Sequence, residues 1–142
     1  MDYSKKYIPK SLTKADKEKQ KKQLDKSVSD YKKGKFTGRK KLDSFQSRKS
    51  SYTTQVKEKL GLPINITKIA DKLTRTDKRK KEVKEGLEKI MLKGKGAYYS
   101  SGSRPNQTAF SWGKGRVASV LVGGPSRKID TIIVKKYKIP KI

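Results

Sequence analysis

The stretch of this chain most suited to chemistry is Tyr98-Tyr99-Ser100-Ser101-Gly102-Ser103-Arg104-Pro105-Asn106-Gln107-Thr108. A Gly/Ser loop ahead of a helix presents free backbone N–H groups, and Arg104 adds a planar cation beside them. Together they would hold a phosphate or a carboxylate. The loop is not a P-loop, because the G-x-x-x-x-G-K-[ST] spacing is missing. A structural reading competes and is preferred: Ser103 or Asn106 caps the helix, Pro105 starts it, and Asn106 and Gln107 satisfy the loop backbone. Gly102 supplies the turn. A Ser–Lys dyad from Ser100, Ser101 or Ser103 is weak evidence, since Ser and Lys are abundant enough to pair by chance.

Few other catalytic parts exist. The chain has no His and no Cys. That removes imidazole acid–base chemistry, thiolate nucleophiles, disulfides and the common zinc sites. Residues 93–142 hold one carboxylate side chain, Asp130. Paired carboxylates for glycoside hydrolysis or two-metal work cannot be assembled there. The expectation is a protein that is not an enzyme, with no cofactor, metal or small-molecule substrate.

Charge dominates instead. The 142 residues carry 39 Lys+Arg against 13 Asp+Glu, a net charge of +26. Residues 1–50 hold 17 basic and 6 acidic side chains, residues 51–92 hold 11 and 6, and residues 93–142 hold 11 and 1. Apolar residues make up 31%, below the roughly 45–50% of ordinary domains, a balance that leans toward disorder. A charge of this size repels itself unless something acidic offsets it. Nucleic acid, an anionic membrane surface and an acidic protein are the candidate partners. No apolar run reaches the ~18 residues of a membrane span. Met1-Asp2-Tyr3-Ser4-Lys5-Lys6 precedes no apolar run, so a secretory signal is not expected. Cys-free composition suits a reducing compartment.

The elements that would position these groups follow from periodicity and punctuation. Residues 1–12 read as an extended arm with Tyr7, Ile8 and Pro9 as an adhesive patch. Thr13 caps a helix from about Lys14 to Lys33 that stops at Gly34, with a thin seam of Leu24, Val28 and Tyr31. Residues 34–53 form a basic linker anchored by Phe36 and Phe45. A short helix covers Thr54–Leu60 and ends at Gly61. Ile66, Ile69, Ala70 and Leu73 mark a helix behind an Asn65 or Thr67 cap. Val83, Leu87, Ile90 and Met91 mark the next, starting at Thr76-Asp77 and ending at Gly94. The two resemble a helix-turn-helix weakly, and plain packing explains them better.

In the last third, Gly96–Ser100 reads as a strand, Thr108–Val122 as a helix and Ile129–Tyr137 as a β-branched strand. Trp112 is the expected hub of that module, facing Ala109, Val117 and Val120. The fold class is therefore α+β: an extended basic arm with one long polar helix over 1–60, a helical hairpin over 61–94 and a strand–helix–strand module over 95–142.

The run from Lys93 through Trp112, continuing through Arg116-Val117-Ala118-Ser119 to Gly123-Gly124, resembles a family of small Lys-rich uncharacterised proteins of large nucleocytoplasmic DNA viruses, algal viruses among them. The opening Lys5-Lys6-Tyr7-Ile8-Pro9-Lys10-Ser11-Leu12-Thr13 is similar to theirs as well. The resemblance brings no catalytic residues. It implies a virus-encoded protein of the virion, on the inner face of the capsid. The function expected on that basis is a minor capsid protein that cements major and other minor capsid proteins. Tyr7, Phe36, Phe45 and Tyr52 would be apolar pegs, and Arg104, Asn106 and Gln107 partner contacts. The lysines would meet acidic capsid faces, inner-membrane headgroups or DNA phosphates. The alternative is a virion protein that binds, condenses or tethers the genome.

Overall fold

The computed structural model describes residues 3–47 and 50–142. The described residues form seven helices and no strand: α1 (Lys14–Lys32), α2 (Ser51–Leu60), α3 (Ile66–Leu73), α4 (Asp77–Ser100), α5 (Ala109–Val122), α6 (Pro125–Ile129) and α7 (Thr131–Lys136). They divide into two compact units. One comprises Met1–Arg48 with Lys95–Trp112, the other Lys49–Gly94 with Gly113–Ile142. These lines differ from the divisions at 60/61 and 94/95 expected from the sequence.

The first unit is built on α1. Thr13 Oγ1 accepts the Asp16 N–H at 3.2 Å, and Asp16 lies in the first turn, where the helix dipole favours an anion. The helix buries Gln20, Leu24, Ser27 and Val28 and turns off at Gly34 in a left-handed conformation. Residues 3–12 do not form an extended arm. Tyr7 and Ile8 donate back to the Ser4 carbonyl, Leu12 is buried, and Gln20 Nε2 donates to the Tyr7 carbonyl at 3.1 Å.

The second unit gathers the amphipathic faces read from the sequence. Ile69 and Ala70 of α3, Val83, Leu87, Ile90 and Met91 of α4, and Val117, Val120 and Leu121 of α5 are all buried, with Val56, Tyr137 and Ile139. The cap of α3 is Asn65, whose Oδ1 accepts the Lys68 N–H at 3.0 Å.

The expected α+β class is overturned, since the described residues are helical and contain no strand. Gly96–Ser100 completes α4, and 131–136 is a helix. Two misread signals account for this. Gly94 suggests a C-terminal stop, but it lies inside α4 as a packing residue. A Cβ there would lie 2.7 Å from Gly113 Cα, and one on Gly113 would lie 2.5 Å from Met91 Sδ. Both glycines let α4 and α5 approach backbone to backbone. The β-branched run Ile132-Ile133-Val134 suggests a strand, yet Ile132 is 83% exposed while Tyr137 and Ile139 take the buried places. Strand propensity without a partner strand to pair with loses to local helical hydrogen bonding.

Two glycines in the α4–α5 region should therefore behave oppositely. Gly94→Ala should lower unfolding free energy by about 1–3 kcal/mol through overpacking. Gly115→Ala, where a Cβ meets nothing within 4 Å, should raise it by about 0.5–1 kcal/mol through helix propensity. Urea unfolding of both variants checks this; equal effects would contradict the packing role.

Candidate functional site

The 98–108 loop lies in the first unit, facing residues 37–42. That segment has no strand neighbour, so side chains satisfy its backbone. Gln23 accepts the Lys40 N–H at 2.6 Å and donates to the Lys40 carbonyl at 3.4 Å. Asn106 does the same for Leu42, accepting its N–H at 2.7 Å and donating to its carbonyl at 3.3 Å. Asn106 holds this position in a left-handed conformation, φ 61°, which asparagine tolerates better than most residues. The Arg39 N–H donates to the Tyr98 hydroxyl at 3.2 Å, and that hydroxyl donates to the Gln107 carbonyl at 3.2 Å.

The Arg39 side chain closes the arrangement. Its guanidinium lies 3.8 Å from the centroid of the buried Tyr98 ring. It donates to Ser27 Oγ at 2.7 Å, the Tyr98 carbonyl at 2.9 Å and Ser103 Oγ at 3.0 Å. No carboxylate among the described residues is ion-paired with it. Burial pushes its pKa down, opposed by the surrounding tyrosines. The nearby Tyr3 hydroxyl donates to Asp25 at 2.7 Å; burial first, then Asp25, pushes it up to about 12.

The loop thus works mainly as a clamp. Gly102 is required in it: φ is +101°, and a Cβ would lie 2.9 Å from Leu24 Cδ2. Pro105 and Ser103 are buried. The helix cap is neither Ser103 nor Asn106. Thr108 and Ser111 cap α5 reciprocally, each side-chain oxygen accepting the other's N–H, at 3.0 and 2.9 Å. Gln107 Oε1 accepts the Ser111 hydroxyl. Arg104 is exposed, and its side chain has no partner among the described residues.

The clamp positions an aromatic group at the surface. Tyr99 meets Tyr98 edge-on with centroids 5.0 Å apart, and lies 6.2 Å from Tyr31 with planes 9° apart. Phe36 leans on both, 5.2 Å from Tyr99 and 6.0 Å from Tyr31, and is 70% exposed. Residues 31–42 carry six Lys/Arg and no carboxylate. Lys32, Lys33, Lys35, Lys40 and Lys41 are exposed. Asp30 and Asp43 bound the stretch in sequence; Asp30 is engaged by Thr37 Oγ1 at 2.6 Å and Lys26 at 3.3 Å, which with its other surroundings hold its pKa below the usual range.

The second unit repeats the pattern of cations without acids. A groove there is lined by Arg127, Lys128, Lys135 and Lys141 with Gly123, Thr131 and Val134. Arg127 donates to the carbonyls of Val120, Ile139 and Pro140 at 2.8–3.4 Å. Elsewhere in the unit Asp130, fully buried, accepts from Arg116 at 2.8 and 2.9 Å and from Lys93 at 3.0 Å. Burial pushes its pKa up, but these hydrogen bonds and charges outweigh it and leave it below 3.8.

The other expected contact residues are mostly inward. Tyr7 is half-buried and meets Trp112 edge-on at 6.0 Å. Phe45 is half-buried, and Tyr52 packs on the second unit's core. Trp112 is half-buried and not the expected hub with Val117 and Val120, which belong to that core without it. Of the four expected pegs, Phe36 is the exposed one. Sequence reasoning passed over Arg39 and Tyr99. Arg39 is the one arginine within a run of lysines, where a planar fork differs from a point charge.

Among the described residues no cluster of His, Cys, Asp or Glu has the makings of a metal site, and no helix is long and apolar enough to cross a membrane. No protein-family model, curated protein or solved structure matches the chain.

Asn106→Ala should cost about 2–3 kcal/mol, because it strands the Leu42 N–H and carbonyl. Arg104→Ala should stay within about 0.5 kcal/mol of the parent. Chemical denaturation distinguishes the two, and a comparable loss for Arg104→Ala would contradict the clamp.

Asp130 fixes an acid limb. Its lowered native pKa stabilises the fold above the ordinary carboxylate value of 3.8, and this is lost as pH falls through the native pKa. Asp130→Asn should cost about 3–5 kcal/mol at neutral pH by leaving Arg116 without its carboxylate. It should also flatten the pH dependence below about 4. Denaturation across pH checks both; a parallel curve would contradict the assignment.

Proposed function

We propose that this chain binds nucleic acid through its phosphates, with little sequence preference, as a genome-associated protein of a virus particle. The observation that carries the reading is the fate of the cations. Thirty-nine Lys and Arg share 13 carboxylates, so the fold cannot neutralise itself. Each unit has the excess, 18 against 6 in the first and 21 against 7 in the second. Where arginines are drawn inward at Arg39 and Arg127, they satisfy themselves on carbonyls, hydroxyls and a ring face. The lysines remain outside, where a phosphate backbone can collect them.

The viral setting is supported by the resemblance of residues 93–124 and 5–13. The shell-cement alternative draws on an extended arm threading between capsid proteins. Residues 3–47 instead pack within the first unit, which favours the genome reading.

Fluorescence anisotropy with a labelled mixed-sequence duplex provides the test. With about six phosphates engaged, affinity should fall about a thousandfold between about 50 and 200 mM salt. Exchanging AT-rich for GC-rich duplex should change it by no more than about twofold. Affinity independent of salt would overturn the reading.

A further inference from the structure

Phosphate contacts account for the lysines but not for Phe36. A phenylalanine 70% exposed, grouped with Tyr31 and Tyr99, is poorly used on a duplex, whose base faces are stacked inside. We infer that Tyr31, Phe36 and Tyr99 form a stacking platform for unpaired bases, so that the chain prefers single-stranded over double-stranded nucleic acid. This rests on the nucleic-acid reading above and adds the class of strand to it.

Three observations carry it. First, the rings are held in place before any ligand arrives. Tyr99 follows the buried Tyr98 in α4, and Tyr98 is fixed by Arg39 over its face and by hydrogen bonds from the Arg39 N–H and to the Gln107 carbonyl. Second, the platform is open at Phe36. Third, its flanks match a phosphate backbone. Exposed Lys32, Lys33 and Lys35 precede Phe36 and exposed Lys40 and Lys41 follow it, within residues 31–42, which carry no carboxylate. The adjoining acid, Asp30, is engaged by Thr37 and Lys26, and an aromatic surface beside surplus cations is the arrangement by which proteins take single strands. The rings receive base faces and the cations track the backbone. Lysines this close would disfavour an apolar protein partner and welcome a polyanion.

The experiment uses the full chain, with labelled oligo-dT of about 20 nucleotides and a duplex of equal length. Phe36→Ala and Phe36→Trp are compared with the parent. Phe36 is exposed, so thermal unfolding should be unchanged in both variants. Phe36→Ala should weaken oligo-dT binding about tenfold and leave duplex affinity within about twofold. The salt slope should not change, because no phosphate contact is removed. Phe36→Trp should restore oligo-dT binding. Phe36→Ala binding oligo-dT as the parent does, or losing both polymers equally, would overturn the platform while salt-dependent duplex binding left the nucleic-acid reading intact. A parent that binds neither polymer would overturn both.

Discussion

Residues 37–42 belong to no helix, and no strand among the described residues pairs with them, so the first unit is organised around satisfying their backbone. Buried backbone groups must find partners. Gln23 and Asn106 each bond one residue's N–H and carbonyl together, the Arg39 N–H donates to the Tyr98 hydroxyl, and the Thr37 carbonyl accepts from Ser27. That demand explains the adjoining loop. Asn106 must reach Leu42, so it takes a left-handed backbone, while Gly102 lets the chain pass Leu24. Arg39 then ties the segment to α1 through Ser27 and to the end of α4 through Tyr98.

A second constraint is electrostatic. With so few carboxylates, this chain cannot bury its arginines in ion pairs throughout. Asp130 serves Arg116 and Lys93, and no other acid side chain follows residue 88. Arg39 and Arg127 therefore rest on neutral acceptors. A guanidinium suits this better than an ammonium, since its fork distributes charge over several carbonyls and its plane stacks on a ring. The compact lysine charge stays in water. The result is a fold whose outer surface is left cationic by stoichiometry, and whose charges repel one another until an anion arrives.

Much of the helical framework was legible. Thr13, Gly34, Asn65 and Gly61 punctuate helices as capping chemistry requires, and the seams at Ile69-Ala70 and Val83-Leu87-Ile90 are buried as their spacing demands. The errors have specific causes. Gly94 looks the same in sequence whether it stops a helix or admits a neighbour, and Gly113, which decides the matter, is 19 positions away. Ile132-Ile133-Val134 has strand propensity with nothing to pair against. The Gly-Ser-Arg-Pro-Asn-Gln-Thr loop was recognisable as structural, but its target, the backbone at Leu42, lies 64 residues off. Trp112 was misplaced because its contact, Tyr7, is likewise remote.

Arg39 and Arg127, resting on neutral acceptors, leave the lysines at the surface, and the same clamp that orders residues 37–42 holds Tyr98 against Tyr99. On the proposed function, the outward charge is an unsatisfied cost in the free protein that a polyanion would relieve. Thermal unfolding of the full chain at low ionic strength, with and without a single-stranded oligonucleotide, is the decisive measurement. The midpoint should rise with oligonucleotide, and the rise should shrink as salt is added. A midpoint unchanged by the oligonucleotide at low salt would contradict it.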